Sequence, residues 1–166
     1  MHVFNKFVHF ITLGAAKAAQ IALTFIMLII VANVISRRLF GSPVPGTVEL
    51  VEMSGAILLA LAVAYTAQVK GHIMVSVLVE RFSPRTQGLI DIVISSVSLF
   101  FTYILARETF VFAARMMGRG YSTGYLQLPV APAIYLVGLG FAMLALVLLR
   151  DIVNAVMLVV KGSERV

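Results

Sequence analysis

Four apolar stretches, each about as long as a helix must be to cross a bilayer, constrain this chain more than any other feature. A hydrocarbon core about 30 Å thick takes about 20 helical residues. The stretches cover about residues 18–36, 50–69, 89–106 and 130–149. The first holds no charge, Glu52 lies near the start of the second, and Asp91 lies close to the start of the third. Lipid offers no partner to the open edge of a sheet, so all four are read as helices. The expected fold is all-α: an integral membrane protein with four transmembrane helices in a single domain over residues 1–166. Composition agrees. Hydrophobic residues make up 61% and charged residues 12% of the chain, whereas soluble domains carry about 25% charge.

Turn signals separate the stretches. Gly41-Ser42-Pro43-Val44-Pro45-Gly46 lies between the first two, Phe82-Ser83-Pro84 between the next two, and Gly118-Arg119-Gly120 with Pro129 before the last. No connection has room for a soluble domain. The N-terminus lacks the basic start, short apolar core and cleavage site of a signal peptide. Between Val3 and Lys17, apolar residues recur at spacings of three and four. That pattern fits a short amphipathic helix on the membrane surface, and equally an extension of the first span. Residues 86–117 contain no Pro and only Gly88, enough for about 48 Å of helix. Such a helix must tilt or emerge, which places Arg107, Glu108 and Arg115 near the far interface.

The net charge of +6 comes from 13 basic residues spread over loops and both ends, with no dense tract. Basic residues flanking spans account for it, so no nucleic-acid partner is expected. Eight of the 13 fall on the side of the N-terminus if four spans are crossed. Both termini are therefore expected in the cytoplasm.

Chemistry is sparse. There is no cysteine, and His2, His9 and His72 all lie outside the four stretches. Haem ligation and a zinc site both need such residues placed together. No catalytic residue, cofactor-binding residue or metal ligand is assigned, and no enzymatic activity is expected. A solute or ion pathway needs ionisable groups at membrane depth, and the centres of the four stretches carry none.

Packing surfaces are clearer. Ala56, Ala60 and Ala64 recur every four residues and lie on one face of the second helix. Gly138, Ala142 and Ala145 suggest a similar stripe on the fourth. Small residues let helices approach closely in lipid. These stripes serve either the packing of the four helices or contact with a second membrane protein. Arg37 stands where the first span ends, and Glu49 and Glu52 share a face at the start of the second. A salt bridge from Arg37 to either glutamate would fix the hairpin. Lys70-Gly71-His72 forms a polar exit from the second span, and the apolar run 73–79 beyond it is too short to cross.

Asn33-Val34-Ile35-Ser36-Arg37-Arg38-Leu39-Phe40-Gly41, then Pro43-Val44-Pro45-Gly46-Thr47-Val48-Glu49-Leu50, then Lys70-Gly71-His72-Ile73 form an ordered set. It resembles the small four-helix (Q-type) membrane subunit of the tripartite ATP-independent periplasmic (TRAP) transporters. The stretch from Ser122 to Pro129 resembles that family's approach to its last helix, and the likeness covers about residues 15–160. The chain departs from the family pattern in lacking Trp before the glutamate, in Ser76 where Asp is frequent, and in Arg38 where an aromatic follows the Arg. The resemblance implies an accessory subunit in the inner membrane of a bacterial or archaeal cell. Its implied partners are a large elevator-type membrane subunit, a periplasmic solute-binding protein and membrane lipid. The implied transport imports organic anions, commonly carboxylates, driven by sodium ions bound on the large subunit and not here. Arg37, Glu49, Glu52 and His72 would then serve the hairpin or the subunit interface, with Ala56, Ala60 and Ala64 as further interface candidates. Two other functions remain open on the residues: an anchor or assembly subunit of a respiratory enzyme, and a self-sufficient small transporter.

Overall fold

The computed structural model describes residues 2–69 and 84–161. Among them are four helices and no strand: α1 (His2–Phe40), α2 (Thr47–Gln68), α3 (Pro84–Gly118) and α4 (Ala131–Lys161). All four are long and apolar enough to cross a membrane. The sequence explains their ends. α1 stops at Gly41, whose φ of +70° suits glycine, and Pro43 and Pro45 follow within the turn. α2 starts from Gly46, also left-handed at φ +73°. α3 opens on Pro84, whose missing N–H has no helical partner at that position in any case.

The N-terminal residues join the first span in one 39-residue helix, about 58 Å long. Val8, Thr12, Ala15 and Ala19 are buried along its first half. That half rests on the bundle: Val8 clusters with Ala67 and Val147, and Ala15 and Ala19 cluster with Leu61.

The helices form an open row, α1–α2–α4–α3. α1 packs along α2, α2 along α4, and α4 along α3, while α3 makes no comparable contact with α1 or α2. Alanine supplies most of the buried apolar positions. In lipid, van der Waals contact between closely approaching backbones holds helices together, and small side chains permit that approach. Gly140 shows how tight it is, since a Cβ there would lie 2.6 Å from the Ala60 carbonyl carbon. Gly138, half a turn away, backs onto the Phe110 ring of α3. α4 thus turns one glycine to each neighbour. Ala60 and Ala64 are buried in this packing, whereas Ala56 is exposed.

Candidate functional site

Two polar belts bound the bundle. The first lies where α2 begins. Residues 119–130 fold into a small hairpin, with a bridge between Ser122 and Pro129. The Thr123 N–H donates to the Leu128 carbonyl at 2.9 Å, and the Leu128 N–H returns to the Thr123 hydroxyl at 3.0 Å. Its tip points two main-chain N–H groups at Glu49. Tyr125 donates to one carboxylate oxygen at 2.5 Å and Leu126 to the other at 2.9 Å. An ionised carboxylate only accepts, so it suits two orphan donors at a loop tip. The Leu126 side chain also covers Gly46, where a Cβ would come within 2.8 Å of Leu126 Cδ2. The loop before α4 is thereby locked onto the turn before α2.

Below the loop is a cleft of about 470 Å³ lined by Glu49, Glu52, Met53, Ala56, Tyr121 and Thr123, among others. Three of the residues singled out from the sequence, Glu49, Glu52 and Ala56, therefore share one cleft.

Arg37 does not join them. Among the described residues the ion pairs are Arg107–Glu108, Arg115–Glu108 and Arg150–Asp151. A salt bridge from Arg37 to either glutamate is absent from that set, and the Glu49 carboxylate is taken by the loop amides instead. The hairpin is pinned by uncharged groups instead. Asn33 Oδ1 accepts the Val44 N–H at 2.8 Å, and the Ser36 hydroxyl donates to the Ser42 carbonyl at 3.0 Å. His72 and the run 73–79 lie outside the described residues.

The second belt lies where α2 ends, and nothing in the sequence pattern joined its members. Gln68 receives a hydrogen bond from the Thr12 hydroxyl on its Oε1, and its Nε2 lies 2.8 Å from His9 Nδ1. The Arg150 guanidinium pairs with Asp151 at 2.8 Å and reaches the Gln68 carbonyl at 3.5 Å. α1, α2 and α4 are tied here through two side-chain contacts, 56 and 59 residues apart in sequence, and one from a side chain to a main-chain carbonyl 82 residues away.

Between the belts stands one charged group of a different kind. Ala60 is eight residues from Glu52 and eight from Gln68, about 12 Å from each belt. Gly140 sets α4 level with Ala60, and Gly138 sets the Phe110 ring of α3 within two residues of that level. Arg107 and Glu108 lie three and two residues before Phe110. The third helix runs past these charges to Gly118, in keeping with the unbroken helix expected over residues 86–117.

The family model for the DctQ component of tripartite ATP-independent periplasmic transporters matches residues 26–158. No curated protein matches the chain. The match spans the turn between α1 and α2, the Glu49 belt with its locked loop, and Gln68, Arg150 and Asp151 of the second belt, but not His9 or Thr12. The chain therefore belongs to the DctQ family and is a small multi-pass subunit of a TRAP transporter in the inner membrane.

Proposed function

We propose that this chain is the scaffold subunit of a sodium-driven TRAP transporter that imports organic anions, commonly carboxylates. It pairs with a large elevator-type membrane subunit that binds the solute and sodium. A periplasmic protein delivers the solute. The chain itself performs no catalysis and holds no cofactor. Both termini lie in the cytoplasm, with the Glu49 belt at the periplasmic face, as the distribution of basic residues favours.

The observation that carries this reading is the family match across residues 26–158. The architecture supports it. A bundle with close backbone contacts in its middle and side-chain ties at both ends is suited to stay fixed while a neighbouring subunit moves. The test is uptake of labelled organic acids by cells that lack this chain but retain its large partner. Uptake should fall to background, return when the chain is restored, and collapse when the sodium gradient is dissipated. Uptake unchanged by the deletion would refute the reading.

A further inference from the structure

A second and larger space opens where α3 ends and α4 begins. It is a groove of about 1020 Å³ and not a closed cavity. The last turns of α3 supply Phe110, Met116 and Met117 to its walls, and the first turns of α4 supply Pro132, Leu136 and Leu139. The Phe110 and Tyr135 rings both line it, with centroids 6.2 Å apart. From Pro132 to Leu139 the apolar wall runs about 10 Å along the helix. Met117, Leu136 and Leu139 remain well exposed within the chain.

The groove changes character at the loop. Gly120, Ser122 and Gln127 line that end. Gln127 stands at a φ of +52°, which is uncommon for a residue other than glycine. Arg115 directly precedes Met116, Arg119 directly precedes Gly120, and both arginines are exposed. They are the only charged residues between positions 109 and 149. Among the described residues no carboxylate pairs with Arg119, and Arg115 approaches Glu108 only at 4.0 Å. Tyr121 lines both this groove and the smaller cleft, but Glu49 and Glu52 line only the cleft. One end of the groove is therefore basic and the remainder apolar.

We propose that the groove between α3 and α4 binds one membrane phospholipid, with an acyl chain along Leu136 and Leu139 and the phosphodiester at Arg115 and Arg119. The occupant follows from this gradient of polarity. Residues 119–130 join two helices that cross the membrane, so they lie at one of its faces, and the groove runs from that face along the spans. An apolar wall with nothing against it forfeits its dispersion contacts, and an acyl chain restores them. A guanidinium binds phosphate oxygens through two parallel charge-assisted hydrogen bonds. Long arginine side chains can also bend toward a headgroup while their stems stay on apolar surface. A soluble anion would satisfy the arginines and leave the wall bare, whereas a phospholipid matches both ends.

The test is photolabelling of the full chain, purified with its bound partner in mild detergent. The probe is phosphatidylglycerol with a diazirine in one acyl chain, and diacylglycerol with the same diazirine is the control. Adducts are mapped by mass spectrometry of peptides. Phosphatidylglycerol adducts are expected to concentrate within residues 110–117 and 131–139, with few from the control. R115Q/R119Q should lower labelling by about tenfold, the loss of one charge-assisted contact. L136W, which fills the groove, should lower it as well, and circular dichroism of each variant checks that the helices persist. Labelling spread equally over the exposed face of α1, equal labelling by diacylglycerol, or full labelling of folded R115Q/R119Q would overturn the proposal. So would a groove that the probe never labels, which would mean that another polypeptide covers it.

Discussion

The Glu49 carboxylate accepts the main-chain N–H of Leu126 at 2.9 Å, so the first turn of α2 holds a loop 77 residues further along the chain. Tyr125 donates to the other oxygen of the same carboxylate. One side chain thus fixes where α4 begins relative to α2, and the Gly140–Ala60 contact then continues that register into the membrane.

Replacing Glu49 with alanine removes both acceptors. Amide exchange at Tyr125 and Leu126 should accelerate, and recovery of the intact complex should fall, while the helices still insert. E49Q keeps one acceptor oxygen and should show an intermediate effect. Exchange rates and recovery equal to those of the unaltered protein would make Glu49 an ordinary interfacial charge.

Gly140 is where the helices come closest. G140V forces a branched side chain against the α2 backbone, which cannot move aside, and overpacking of this kind costs about 1–3 kcal/mol. The melting temperature in detergent should drop. G138A should be milder, because its neighbour is the edge of the Phe110 ring, 3.2 Å from the added Cβ and able to shift. Thermal unfolding of the two variants side by side decides the order.

Asn33 and not Arg37 pins the first turn. N33L leaves the Val44 N–H without its acceptor and should destabilise the protein by about 1–3 kcal/mol. R37L should change stability little, since no ion pair holds Arg37 among the described residues. Denaturant titration of both variants separates the two, and a larger loss from R37L would contradict the assignment.

Gln68 gathers the other belt. Q68L breaks its bonds to Thr12 and His9. Side-chain hydrogen bonds between membrane helices average about 0.6 kcal/mol, so a loss near 1 kcal/mol is expected for the pair. Proteolysis within residues 2–11 should quicken if this tie holds the first turns of α1 on the bundle.

Much of this architecture is legible in the sequence, for local reasons. Runs of about 20 apolar residues bounded by glycine and proline specify helices in lipid whatever the rest of the chain does. The same local view ends the third span at Ala106, because hydropathy falls at Arg107 and Glu108. The helix itself continues, since nothing up to Gly118 breaks it. For the first residues, the spacing of apolar side chains is shared by a surface helix and a packed one. Burial of Val8, Thr12, Ala15 and Ala19 against α2 and α4 belongs to tertiary structure. The site was less legible. Glu49 stands out in the sequence, but the nearest opposite charges along the chain are the pair Arg37 and Arg38, and the loop amides have no side-chain signature. Gly140 stands outside the stripe of Gly138, Ala142 and Ala145, which follows helical spacing. Close approach to α2 depends on the crossing point and not on a repeat.

The most direct measurement is purification of the tagged chain from its native membrane in mild detergent, with mass determination of what remains bound. One large, many-span membrane protein in near-equal amount is the predicted result, and it would establish the chain as the small subunit of a two-part permease. A stable, monodisperse chain with no partner, recovered from cells that express the large subunit, would contradict the account.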